Sequence, residues 1–216
     1  MPYLLRSSTN NSYGSLTSSF GVGGTTGDYV EISAKAASGN PGESYRLTGI
    51  SEGYNTLVEL RSSSVVVRVL GNSIVFTSGY TQPAVGANFV FRATKTASGW
   101  ECFLDGDSLG EVSSSSAVAE FDQLLNFAES DEAFQGDCYY IEACTDGTGV
   151  ATNRWLNTTG AGSVWTDQIG SSDATLVRFP IDDSQWAFYS TGPNTPLNLS
   201  ITNLQATSAR LNWSQG

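Results

Sequence analysis

Apolar and β-branched runs of four to seven residues recur along this chain at about ten-residue spacing, most of them cut short by Gly, Asn, Asp or Ser. Tyr45–Ile50, Asn55–Leu60, Val65–Leu70, Ser73–Phe76, Phe89–Ala93, Trp100–Leu104, Phe121–Phe127 and Cys138–Ala143 are the clearest of them. Asp28–Ala37 adds a strand of period two. Gly71-Asn72 and Asp105-Gly106-Asp107 are turn signals, because Gly tolerates positive φ and Asp or Asn bonds its own backbone. No helix-period segment exceeds a turn or two. The pattern therefore predicts an all-β sandwich or barrel. A chain of 216 residues, 39% hydrophobic and 11% aromatic, can bury the core such a fold needs.

Charge excludes several function classes. Only 14% of residues are charged, the formal net charge is −11, and ten Lys and Arg are scattered without a cluster. Sequence-independent binding to nucleic acid or to anionic membrane depends on basic patches, so neither is expected. No apolar run is long enough to span a bilayer. The N-terminus lacks a basic segment followed by an apolar one, so no Sec signal is read there. His is absent, which removes His-dependent catalysis and the usual zinc sites. Cys102, Cys138 and Cys144 are odd in number and read as small buried apolar side chains. A Cys138–Cys144 bridge is disfavoured, since six residues of one strand span about 20 Å.

The stretch 87–144 carries a resemblance. A strand, Lys95, Ser98-Gly99, Trp100 and Phe103-Leu104-Asp105-Gly106 are followed by Phe121-Asp122, Leu125 and Phe127, and then by Phe134-Gln135-Gly136-Asp137 before Tyr139-Tyr140-Ile141-Glu142. This order resembles the laminin-G and concanavalin A-like lectin/glucanase superfamily. The resemblance implies a jelly-roll β-sandwich. Residues 1–27 then read as an N-terminal arm with edge strands, 28–190 as the sandwich and 191–196 as a linker. Residues 197–216 resemble the opening of a fibronectin type III domain, with Trp213 where its core Trp belongs. Two strands cannot bury their own core, so a parent protein continuing past Gly216 is expected.

Glycanases of that superfamily place carboxylates on alternate residues of one strand. Glu120-Phe121-Asp122 fits the first two positions, but Leu124 and Leu125 stand where the general acid belongs, so the chain reads as no enzyme. For glycan binding, aromatic rings stack on sugars while neighbouring amides and carboxylates bond the hydroxyls. Trp155, Trp165, Tyr54 and Tyr80, in or beside Gly-rich and Asn-rich loops, are the candidates, with Asn157 and Asp167 as their polar neighbours. The alternative for the two tryptophans is that they plug the end of the sandwich. Trp100, Tyr140, Trp186 and Trp213 lie in strand patterns and read as core.

No cofactor is called for. If a cation binds, Ca²⁺ suits the oxygens of Glu129, Asp131, Glu132 and Asp137, or of Asp105 and Asp107, although acidic loops are commonly just solvated. The resemblance, the missing signal and the modular C-terminus together favour a non-enzymatic surface module. The leading reading is a phage virion component, such as a head decoration or tail-fibre protein, located on the virion or outside cells. Its expected partners are other virion proteins, copies of itself and a cell-surface or environmental glycan. The second reading is the carbohydrate-binding module of a secreted polysaccharide-degrading enzyme.

Overall fold

A computed structural model describes residues 3–7, 12–38, 40, 44–51, 57–70, 72–114, 118–126, 133–180 and 182–188, together with the backbone of two C-terminal strands. All assigned elements are strands, and among the described residues there is no helix long and apolar enough to cross a membrane.

The first sheet holds β1 (Tyr3–Ser7), β3 (Tyr29–Ala36), β8 (Asn88–Lys95), β9 (Gly99–Leu104), β10 (Asp107–Ser113), β12 (Gly136–Cys144), β13 (Asn153–Trp155) and β16 (Trp186–Phe188). Their order is β10-β9-β8-β3-β12-β1-β16, with β13 also pairing β12. The second sheet is β14-β15-β2-β11-β4-β5-β6-β7. It is built from β2 (Tyr13–Val22), β4 (Tyr45–Gly49), β5 (Leu57–Leu60), β6 (Val65–Val69), β7 (Asn72–Phe76), β11 (Ala119–Leu124), β14 (Val164–Trp165) and β15 (Ala174–Val177). Neighbouring strands in both sheets run antiparallel. β17 (Asn198–Gln205) and β18 (Ser208–Ser214) pair with each other in a separate two-stranded ribbon.

Alternation explains how the layers close. Val30, Ile32 and Ala34 of β3, Phe89 and Phe91 of β8, and Cys138 and Ile141 of β12 point inward from the first sheet. They meet Leu47, Val58, Val67 and Phe121 from the second. Each Val, Leu, Ile or Phe among them contributes about 1.5–3 kcal/mol on burial. All three cysteines are buried free thiols; Cys102 and Cys138 lie in this interior, where burial pushes them up, while Cys144 Sγ donates to Asp146 Oδ1 at 3.3 Å.

The motifs behind the family resemblance have physical reasons. Asp105 (φ 54°) and Gly106 (φ 89°) form the two-residue loop between β9 and β10, where a hairpin requires two left-handed residues. Phe134 is fully buried, edge-on to Tyr45 and Phe89. A side chain at Gly136 would collide with the carbonyl of Lys35.

Two expectations change. The described part of residues 1–27 is not an arm with edge strands: β1 lies between β12 and β16, and β2 between β15 and β11. Leu5, Leu16, Phe20 and Val22 bury their side chains in the main core, the spacing that the Ser- and Gly-rich composition hid. Tyr140 is not core. β12 slips against β3 between Cys138 and Tyr140, and the extra residue, Tyr139, turns both tyrosines to the outer face while Cys138 and Ile141 stay inside.

Candidate glycan-binding face

The outer face of the first sheet is a grid of polar and aromatic side chains set by strand register. Across one row, Arg154, Glu142, Glu31, Arg92 and Phe103 stand on successive strands β13, β12, β3, β8 and β9. Glu142 and Glu31 are directly opposite, an arrangement that costs energy unless each carboxylate is compensated. Both are. Arg92 Nε donates to Glu31 Oε2 at 2.7 Å and Tyr140 Oη to Glu31 Oε1 at 2.8 Å. Arg154 Nε donates to Glu142 Oε2 at 2.7 Å and Tyr29 Oη to Glu142 Oε1 at 2.9 Å. The Arg92 guanidinium also lies 3.9 Å over the Tyr29 ring. Burial, then the bonds to Glu142 and Glu31, push the Tyr29 and Tyr140 phenols well above the ordinary tyrosine range.

This network borders an open groove of about 410 Å³ lined by Glu31, Arg92, Glu101, Phe103, Val90 and Thr94. Phe103 is half-buried, and Glu101 accepts from Ser108 Oγ at 2.7 Å. Further along the same face, Tyr139 Oη donates to Asn88 at 2.8 Å. Beyond them Asp137 accepts from Arg6 Nε at 2.8 Å, with Lys35 Nζ 3.8 Å away. Arg6, Lys35, Arg92 and Arg154 stand among Glu31, Asp137 and Glu142 on this face, while Glu101 lies opposite Glu111 across β9 and β10.

The residues singled out from sequence sit elsewhere. Trp155 and Trp165 are 0% exposed and offer no ring face to a ligand; they plug the sandwich end, the alternative weighed above. Trp155 packs on Phe20 with ring centres 5.0 Å apart, and its Nε1 donates to Ser172 O at 2.6 Å. Asn157 and Asp167 are buried and spent on backbone. Asn157 Oδ1 accepts from the N–H groups of Thr159 and Gly160, each at 2.7 Å. Asp167 Oδ1 accepts from those of Arg154, Ile169 and Gly170, and its Oδ2 from Asn153 Nδ2 and Ser172 N. Burial works to raise the Asp167 carboxyl, and these donors outweigh it and hold it below the usual carboxylate range.

The signal for this arrangement was in the sequence: Trp155-Leu-Asn157-Thr-Thr-Gly160 and Trp165-Thr-Asp167-Gln-Ile-Gly170 are one motif repeated after ten residues. Each Trp fills the core, and each Asn or Asp caps the turn that follows.

Tyr80 is partly buried against the core, and its phenol is raised by that burial. Tyr54, Glu129, Asp131 and Glu132 lie outside the described residues. Asp105 Oδ1 accepts from Val90 N at 2.7 Å as part of its turn, Asp107 is exposed, and Asp137 is held by cations. Among the described residues no three Cys, Asp or Glu side chains converge as metal ligands. Asp122 is bonded to Ser51 N and Oγ, while Glu120 beside it is exposed. The residues that sequence reasoning missed are Arg92, Glu31 and Phe103, whose only sequence signal is polar or aromatic character at outward positions of confident strands.

No protein-family model matches the sequence, and no curated protein matches it. Solved structures similar to the chain include a heptameric SAP-like pentraxin from Limulus polyphemus, at 8% identity and TM-score 0.47, covering 65% of this chain and 74% of that one. Sheep galectin-11 is similar at 14% identity and TM-score 0.39 over 59% of this chain and 96% of its own. A carbohydrate-binding module from Bacillus subtilis is similar at 12% identity and TM-score 0.39, over 61% and 80% respectively.

Proposed function

We propose that the chain is a non-enzymatic binding module that takes a glycan on the outer face of its first sheet, with the Phe103 groove as the primary site. The observation that carries this reading is a half-buried aromatic ring beside an Arg and two carboxylates that are already locked in place. A sugar's apolar CH face stacks on Phe103, and its hydroxyls fit between Arg92 donors and the remaining lone pairs of Glu31 and Glu101. Because Tyr140 and Glu31 fix these groups beforehand, little side-chain entropy is lost when a ligand docks. The groove volume falls within the range of small-ligand sites.

The setting we propose is a virion surface, as a head decoration or tail-fibre module in contact with itself and other virion proteins. The two-stranded ribbon β17–β18, where the sequence resembles a fibronectin type III opening, supports a modular adhesive protein.

Calorimetric titration with a panel of oligosaccharides tests the site. Phe103→Ala should weaken the best ligand about tenfold, the value of one lost stacking contact, while the melting temperature moves little. Undiminished binding by Phe103→Ala, or the absence of any ligand across the panel, would sink the reading.

A further inference from the structure

The outer face of the first sheet is polarised along β3. Around the Phe103 groove two carboxylates, Glu31 and Glu101, face one guanidinium, Arg92. Four residues along β3, about 13 Å away at the usual strand rise, two cations face one carboxylate. There Arg6, Lys35 and Asp137 line a second hollow of about 390 Å³, together with Ser7, Gln135 and the backbone at Gly86. The Asp137 side chain is 12% exposed and lies beneath its partners, whereas Arg6 and Lys35 are 53% and 40% exposed. Arg6 turns Nε and one terminal nitrogen toward Asp137, at 2.8 and 3.5 Å, leaving the other terminal nitrogen free of that pair. Lys35 Nζ stands 3.8 Å from Asp137, beyond hydrogen-bond reach, so its three N–H donors are not satisfied by that carboxylate. A surplus positive charge, raised on a hollow in an otherwise acidic chain, is a place for an anion.

We infer that the Arg6–Lys35 hollow is a subsite for the carboxylate or sulfate group of an acidic oligosaccharide, whose neutral part lies along β3 toward Phe103. The inference rests on the glycan reading of this face and names the ligand class. Phe103 stands two strands across from β3, so it and Lys35 are about 16 Å apart at the usual strand rise and spacing, roughly three sugar units, and a single ligand can reach both ends. Asn88, directly opposite Lys35 on β8, and Tyr139, bonded to it, extend the hollow across the sheet toward β9 and supply partners for hydroxyls.

The test compares matched ligands: oligogalacturonate against its methyl-esterified form, and a sulfated galactan oligomer against its desulfated form. The native chain should bind at least one acidic form about tenfold more tightly than its neutral counterpart, the worth of one charge-assisted hydrogen bond. Added salt should erode that advantage. Lys35→Gln should remove it without changing affinity for the neutral form, and Arg6→Gln should act in the same direction. Phe103→Ala should weaken acidic and neutral forms alike. Equal affinity for the members of both pairs, or an acidic preference untouched by Lys35→Gln and Arg6→Gln, would overturn the subsite while leaving the glycan reading intact. Failure of every oligosaccharide to bind would take down both.

Discussion

Two regions of this molecule combine aromatic rings with carboxylates and amides, and they have opposite uses. At the sandwich end, Trp155, Trp165, Asn157 and Asp167 are buried, and the oxygens of Asn157 and Asp167 accept from neighbouring backbone groups. On the outer face of the first sheet, Arg92 and Tyr140 hold Glu31 in place, and Glu31, Arg92, Glu101 and Phe103 line an open groove. What separates a structural plug from a binding surface is whether donors, acceptors and ring faces remain after the fold has used what it needs.

The sharpest way to break this comparison is to treat the plug as though it were the site. Trp155→Ala removes a fully buried ring packed on Phe20 and should cost about 3–5 kcal/mol, or a melting point lower by roughly 10 °C for a domain of this size. Thermal unfolding followed by circular dichroism reads it directly. Below the new melting point, affinity for the best oligosaccharide should equal that of the native chain. Loss of affinity with an unchanged melting point would mean that the tryptophan, not Phe103, meets the ligand.

Asp167→Ala comes next. It leaves several donors in a buried turn without their acceptor, for a loss of about 2–3 kcal/mol in chemical denaturation. Asp167→Asn should recover only part of that. One amide oxygen can still serve Arg154, Ile169 and Gly170, but the amide NH2 then faces the donors of Asn153 and Ser172. Full recovery by Asn would mean that the charge on Asp167 contributes nothing to the turn. Since its carboxyl is held below the ordinary range, its contribution is complete above about pH 4 and is lost as the pH falls through the folded value.

The two regions also differ in how far sequence could see them. Fold class and most strands from Tyr29 to Cys144 were legible because period-two alternation and turn residues are local signals. β1 and β2 were not, since their inward residues are diluted by Ser, Thr and Gly, and only pairing with β12, β15 and β11 turns them into interior strands. Aromatic residues in Gly-rich loops pointed to Trp155 and Trp165, but exposure depends on what the rest of the chain covers, which composition does not encode. The outer face was illegible for a different reason. Arg154 meets Glu142 and Glu31 meets Arg92 only through cross-strand register, and Tyr140 reaches that face only because of the bulge at Tyr139.

The smallest effect near neutral pH, and the one that probes the network without removing an atom, is alkaline titration. The phenols of Tyr29 and Tyr140 are raised in the folded chain by burial and by their bonds to Glu142 and Glu31. In the unfolded chain they ionise near pH 10. Below that value both states keep the proton and stability is unaffected; above it the unfolded state releases protons that the folded state retains, so stability falls with pH. Phenolate absorbance and near-ultraviolet circular dichroism, recorded together, should show the phenols of Tyr29 and Tyr140 ionising only as tertiary signal is lost. If all nine tyrosines titrate near pH 10 with the fold intact, the hydroxyls of Tyr29 and Tyr140 are not committed to the two glutamates. The groove would then lack the preorganisation on which the proposed affinity depends. Tyr140→Phe sharpens the same point: it should lower glycan affinity by a few-fold, because Glu31 loses one of the two donors that aim it at the ligand.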